Sequence, residues 1–481
     1  MSMRTMAAEA HPAGDRAFSV EEHGIDIIPA GERHGDPREL FWVWLGANLI
    51  FTYVITGAII IGFGLNFWAG LAAVVVGNLF YVLVGIGAIS GPVAGTATLT
   101  ISRSAFGVLG NIPAAFLSWI TVVGWEAVNI VIGTLSLFAL LQLAGFPDTA
   151  VVKALCLAVI MLVTFTVAVW GHATIVTVNR ILAILLAVGT VVLAAFVIPQ
   201  INLNAAVAPL AAETPFAAWL LALLVIAAAP FSWVNYPADY ARYLPASTSK
   251  TSVAMWTALG GFVPALLIGL LGVAAATATD MTDPVGGLSK LVPGWFFAPY
   301  LAVIVGGTIT NNFLNTYSSG LSLLAVGIRI KRYKAVLIDA VLGGLLSIYA
   351  VFVFNFTDSF IQFLSLMVIW IAPWSGIYLA DMLLRRNRYD GEALHARSGR
   401  YWYSNGWNFI AIGSFAAGIV SAALFANAPL WQGPLSKLIG GADISIYVGF
   451  LLSGGIYLAL MRRRLQLEAS ADRKAAPAAV S

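Results

Sequence analysis

Apolar runs of about twenty residues recur along the whole 481-residue chain, separated by short polar segments. Each run is long enough to cross a hydrocarbon core as a helix. Twelve spans are expected, at roughly 39–64, 67–89, 111–141, 151–170, 175–198, 215–237, 252–277, 294–327, 335–355, 358–384, 407–426 and 443–461. The period-2 alternation of a membrane barrel is absent, so the expected class is an all-α polytopic membrane protein.

Two of these runs contain helix-breaking residues. The first reads ANLIFTYVITGAIIIGFG, with Thr52, Thr56, Gly57 and Gly62 expected to interrupt it. The sixth reads IAAAPFSWVNYPADYARYLP, with Pro230 and Pro237 seven apart and Ser232 and Asn235 between them. Proline removes a backbone donor and frees a carbonyl one turn back. Within a membrane such groups are tolerated where they face protein or a water-filled cavity. Interrupted helices five spans apart point to two inverted five-helix repeats with the substrate near the midplane. The expected layout is a cytoplasmic tail at 1–38, repeats at 39–198 and 215–384, two added helices at 407–461, and a cytoplasmic tail at 462–481. The N-terminal tail has no apolar stretch following a basic start, so no cleaved signal peptide is expected.

Composition supports the same class. The chain is 60% hydrophobic and 10% charged, too few charges to cover a soluble protein of this length. With the N-terminus placed inside, 22 of the 25 lysines and arginines fall in the tails and inner loops, and only Lys153, Lys290 and Lys437 fall outside. That asymmetry predicts an inner (plasma) membrane protein with both termini cytoplasmic. A single cysteine, Cys156, excludes disulfides, cysteine metal clusters and a redox pair. The five histidines lie in tails or inner loops, so an intramembrane histidine relay or metal site is not expected. No phosphate-cradling glycine loop, nucleophile elbow or metal motif is present, so nothing argues for an enzyme or for ATP coupling.

The polar residues inside the spans carry the functional signal. In span three, VVGWEAVNIVIG places Trp125, Glu126 and Asn129 on one broad helix face. Span six sets Trp233 between Ser232 and Asn235. Span eight contains GGTITNNFLNTYSSG, where Thr308, Asn311, Asn312 and Asn315 follow helical spacing. Amides are disfavoured against lipid, so that face should point into the bundle. Indoles sandwich flat rings, and an amide presents a donor and an acceptor side by side, as the edge of a nucleobase requires. A sugar would fit the same parts, and an amino-acid substrate is not excluded. The bland alternatives are packing for the tryptophans and interhelical glue, about 1 kcal/mol each, for the asparagines. Trp42, Trp44, Trp68 and Trp431 are placed as interfacial anchors. An ionised Glu126 would need a partner, and no basic residue lies in sequence reach. It reads equally as a structural acid or as a ligand- or proton-carrying group. Asp239, Arg242 and Tyr243, at the inner end of span six, are read either as a helix-end charge pair or as an inner gate; Asp339 and Asp381 are weaker candidates.

At GWEAVN, FSWVNYPADYARYLP, TNNFLNTYSSG and APWSGIYLADMLLRRNRYD the chain resembles the purine–cytosine permeases of the nucleobase:cation symporter family, over about residues 20–465. The resemblance implies two inverted five-helix repeats plus two helices, and import of a base or related heterocycle with Na+ or H+ and no further cofactor. It implies a stacking role for Trp125 and Trp233, and a base-binding amide at Asn129 and Asn315, supported by Asn311 or Asn312. Trp233 lies six residues before Asp239, as does the span-six aromatic of fungal-type members. A sodium ion would sit between span one, on backbone near Ala47 to Thr52, and span eight, near Gly306 and Thr310. Ile309 stands where a second hydroxyl is expected, and Glu126 replaces a small or neutral residue. Allantoin, hydantoin, uracil or a vitamin-like ring are alternative substrates. The expected partners are this small molecule and the lipid bilayer, with no nucleic acid and no protein.

Overall fold

The computed structural model describes residues 24–168, 172–328, 332–353 and 356–475, apart from the side chains of 167–183, 329–333 and 467–475. Most of the expected N-terminal tail, with His11 and His23, and the last six residues lie outside the described residues, as do the side chains of His172 and Arg180.

The described chain is helical, and its long helices match the twelve expected runs. Eight helices are long and apolar enough to cross a membrane unaided: Phe67–Ala94, Ile112–Leu143, Pro215–Trp233, Lys250–Ala278, Gly294–Ala325, Lys334–Phe352, Phe356–Leu384 and Ser445–Gln466. They are spans two, three, six to ten and twelve. Span one is a bent pair, Glu39–Asn48 and Thr52–Gly62, kinked by 54°. The shorter apolar helices Ala150–Thr166, Ile184–Gln200 and Phe409–Phe425 belong to spans four, five and eleven. Small elements invisible in the periodicity fill the ends: helical turns at Thr98–Ile101 and Arg103–Phe106, and a two-residue antiparallel pairing of Asn427–Ala428 with Trp431–Gln432.

Helix neighbours exchange in pairs when five is added to the span number. Span one packs on seven as span six packs on two; span one meets five as six meets ten; span three meets nine as eight meets four. This is the packing that two repeats related by a pseudo-two-fold axis produce. It sorts the helices into one group of spans one, two, six and seven and another of three, four, eight and nine.

Both expected interruptions exist, but the one in span one lies elsewhere. Thr52–Gly62 is continuous helix, and the break falls at Leu49–Phe51. Gly57 serves packing instead: a Cβ there would stand 2.1 Å from the Gly269 carbonyl oxygen of span seven. A reciprocal close approach holds Gly272 against Val54, where a Cβ would come within 2.2 Å of the Val54 oxygen. Gly57→Ala should therefore destabilise by about 1–3 kcal/mol, the usual cost of overpacking. Gly62→Ala, where a Cβ meets nothing within 4 Å, is the control. Thermal melts of the detergent-solubilised variants check this, and equal melting temperatures would refute it.

In span six the helix runs through Pro230 and stops at Trp233. Proline is favoured in the first turn of a helix, where its missing N–H has no intrahelical partner to lose, and Pro237 opens the second half, Pro237–Ala241. A further correction concerns Trp44. Trp42, Trp68 and Trp431 are exposed, as interfacial anchors should be, but Trp44 is buried, edge-on to Trp233 at 5.2 Å and to Tyr240 at 5.6 Å.

Candidate functional site

The break in span one leaves carbonyls without the donor one turn on. Span eight supplies one. Asn311 Nδ2 donates to the Ala47 carbonyl at 2.5 Å, across 264 residues of sequence. Asn48 holds the other side of the break, donating to Trp44 O and accepting from Tyr53 Oη at 2.6 Å and from Tyr81 Oη.

Between the two helix groups lies a cavity of about 490 Å3, including space open to solvent at its mouth. Span one contributes Thr52, Tyr53 and Thr56, and span three Val122 and Trp125. Ser232, Trp233 and Tyr236 line it from span six, and Asn311 and Asn315 from span eight. Both tryptophans thus share one cavity wall system with two amides. Trp125 is fixed edge-on by Phe363 at 5.3 Å and Phe360 at 6.0 Å, and Trp233 by Trp44. Rings held in this way are set before a ligand arrives, which lowers the ordering cost of binding.

The amides form one network. Asn129 Nδ2 donates to Asn311 Oδ1 at 2.7 Å and to the Trp125 carbonyl at 3.0 Å. Asn315 Nδ2 donates to Asn311 Oδ1 at 3.1 Å and Asn312 Oδ1 at 3.3 Å. Asn312 Nδ2 donates to the Glu126 carbonyl at 3.1 Å. Asn129 Oδ1 is the member of this network left without a partner among the described residues. All the hydrogen bonds of Asn315 run through its nitrogen, leaving its oxygen for a donor in the cavity.

The expected residues therefore separate by position. Trp125, Trp233, Asn311 and Asn315 line the cavity. Asn129 and Asn312 lie behind it, holding Asn311 and Asn315 in place. Glu126 does not line it: a Cβ built on Gly343 of span nine would stand 3.6 Å from Glu126 Oε2. Tyr53 and Tyr236 line the cavity and were not singled out from sequence, and Thr56, read there only as a helix breaker, lines it too. Their signal was a polar side chain beside each helix break.

Among the residues considered for sodium, Ala47 O accepts from the Asn311 amide and Gly306 O from Thr310 Oγ1 at 2.7 Å. Thr52 lines the main cavity, and the Ile309 side chain offers no oxygen.

In the second half of span six, Asp239 Oδ1 accepts from Thr98 N at 2.8 Å and Thr98 Oγ1 at 2.9 Å, and its Oδ2 from Ser318 at 3.3 Å. Arg242 donates to Gly24 O at 2.6 Å, Tyr317 Oη at 2.9 Å and Tyr243 Oη at 3.2 Å. Asp239 and Arg242 thus join span six to span eight, the N-terminal segment and the turn after span two. Asp381 is an anchor elsewhere, binding Arg385, Ser104 and Tyr457.

Comparison with known proteins follows the same lines. YxlA of Bacillus subtilis (strain 168), named for the purine–cytosine permeases, is 28% identical over 473 residues, covering 95% of this chain and 99% of its own. The purine-cytosine permease fcyB of Emericella nidulans is 24% identical over 465 residues, 92% of this chain and 88% of its own. Among solved structures, Mhp1, a nucleobase-cation-symport-1 family transporter closed with bromovinylhydantoin bound, superposes with a TM-score of 0.73 at 18% identity. That match covers 93% of this chain and 97% of Mhp1 and establishes the shared fold. The family model described as permease for cytosine/purines, uracil, thiamine, allantoin matches residues 27–449. The chain belongs to this permease family: it is a multi-pass membrane transporter, not an enzyme.

Proposed function

We propose that the protein imports a nucleobase, cytosine or a purine, by secondary active symport. The observation that carries this reading is the cavity that joins Trp125 and Trp233 to the open oxygen of Asn315. The base stacks against the indoles, and its polar edge meets Asn315, with Asn129, Asn311 and Asn312 keeping that amide in position. A flat, neutral ring suits a cavity without a lysine or arginine. An amino acid would need a carrier for its carboxylate, and none of the lining side chains is cationic.

Residues 39–198 and 215–384 act as the two repeats, and 407–461 as peripheral helices. Rocking of the two helix groups exposes the cavity alternately to each side. The Asp239–Arg242–Tyr243 network closes the inner side, and release of the base requires it to open. Both termini lie in the cytoplasm beneath the plasma membrane, as the placement of basic residues supports. The coupling ion is a cation, Na+ or H+.

A hydantoin ring is the second reading. A hydantoin permease of Microbacterium maritypicum is 25% identical over 198 residues, 40% of this chain and 39% of its own. Uptake of radiolabelled cytosine into cells, challenged with unlabelled purines, uracil, allantoin and hydantoins, separates the two. Saturable uptake blocked best by cytosine or a purine is expected. Blockage by hydantoins alone would assign the second reading. Accumulation above the outside concentration, lost with an ionophore, rules out a channel or a receptor.

A further inference from the structure

Glu126 is wholly buried, and neither carboxylate oxygen has a hydrogen-bond partner within the protein. Such a group is costly to bury, so its retention inside the helix group calls for a reason. It lies where spans three, eight and nine meet. Span nine presents Asp339 and, one turn on, Gly343, which leaves room for the Glu126 carboxylate. Span eight presents Thr316, fully buried, its hydroxyl facing Glu126 but outside good hydrogen-bond geometry with it or any other group among the described residues. Asp339 is held from both sides, accepting from Trp119 Nε1 and Ser319 Oγ, each at 2.7 Å. Tyr236 of span six is the remaining titratable group in electrostatic reach. No lysine, arginine or histidine among the described residues faces the pair.

Two carboxylates on facing turns of spans three and nine, buried and without a counter-charge, cannot both be ionised at little cost, and a proton shared between them is the simplest remedy. A metal ion is a poorer occupant. Hard cations take about six or more oxygens. Here only the two Glu126 oxygens and Thr316 Oγ1 are unengaged. The unused hydroxyl of Thr316 is placed to accept from a protonated Glu126 or to donate to an ionised one.

The pair is also wired to the cavity. The Glu126 carbonyl accepts from Asn312, whose oxygen accepts from Asn315, and Trp125 is the next residue in the chain. We infer that Glu126 and Asp339 form the proton-binding site of this symporter, set outside the base cavity and coupled to it through Asn312 and Asn315. The pair keeps one shared proton throughout; a second proton passes from hydronium on the outer side to a carboxylate oxygen, leaving water, and is returned to water on the inner side. The charge of the pair is thereby neutralised while the helix groups move.

Two measurements test this, and only the second rests on the base-transport reading. The first is infrared pH titration of purified wild type, Glu126→Gln and Asp339→Asn. A protonated-carboxyl C=O band that titrates in the wild type should be lost in Glu126→Gln and lost or shifted in Asp339→Asn. An unchanged band in both variants overturns the site, whatever the substrate. The second, in proteoliposomes, is the ratio of cytosine accumulation driven by an inward proton gradient to cytosine exchange at equal pH. That ratio should fall at least tenfold in Glu126→Gln. A wild-type ratio in Glu126→Gln overturns the coupling role. If the wild type exchanges no base at all, the substrate assignment fails, while the infrared result still decides the proton site.

Discussion

Asn315→Ala should silence base uptake at low substrate concentration while leaving the protein at normal abundance in the membrane. Its nitrogen is held by Asn311 and Asn312, and its oxygen is open to the cavity. Truncation removes the acceptor that meets the base and leaves the base's own donor unpaired when bound. An unpaired buried group costs about 1–3 kcal/mol, and each 1.4 kcal/mol is tenfold in affinity. The loss should therefore be between several-fold and about a hundredfold in affinity, enough to silence uptake at low substrate concentration. Abundance should hold because Asn311 and Asn312 keep their bonds to Ala47 O and Glu126 O. Uptake assays paired with membrane immunoblots check both halves. Normal uptake by the variant would remove Asn315 from the site.

Asn311→Ala has the second large effect, and by a different route. Asn311 donates to the freed Ala47 carbonyl and accepts from both Asn129 and Asn315. Alanine leaves that buried carbonyl unpaired at a cost of about 1–3 kcal/mol and releases Asn129 behind the cavity and Asn315 in its wall. Stability and uptake should fall together. Asn311→Asp separates the roles, since it keeps an acceptor for Asn129 and Asn315 but loses the donor to Ala47 O. If the bridge between spans one and eight matters, Asp fails as fully as Ala. Rescue by Asp would show that only the acceptor counts.

These two residues also show which parts of the architecture sequence could reveal. The spans were legible because bilayer thickness sets a minimum apolar length, and the long runs are helices within a few residues of their expected bounds, except that the twelfth runs on from Ser445 to Ala475. The break in span six was legible because Pro237 marks the first turn of a new helix and disfavours helical geometry in the residue before it. The break in span one was not. Leu49, Ile50 and Phe51 contain no breaker, and the kink is held by Asn48 and by Asn311, contacts between residues distant in sequence. Gly57 and Gly62 suggested a break, but Gly57 answers to the backbone of span seven, which no local pattern reveals.

Within the site, residue type was more legible than residue direction. Trp125 and Glu126 are adjacent, so a helix turns them about 100° apart. One meets the cavity and the other meets span nine. Asn129 shares the helix face of Trp125 yet is spent on Asn311. Trp44 was grouped with Trp42, although two residues apart on a helix is nearly opposite, and only Trp42 is exposed. Tyr53 and Tyr236 passed unnoticed because tyrosine in a span usually marks an interface, and only the folded breaks bring them to the cavity.

The central claim is that one cavity, walled by Trp125, Trp233 and Asn315, holds a nucleobase. Tryptophan fluorescence quenching of the purified protein by a panel of purines, pyrimidines and hydantoins tests it most directly, with Trp125→Ala and Asn315→Ala measured alongside. Saturable quenching by cytosine or a purine, lost in both variants, is the expected result. Quenching by no base in the panel, or quenching that persists in both variants, would contradict it.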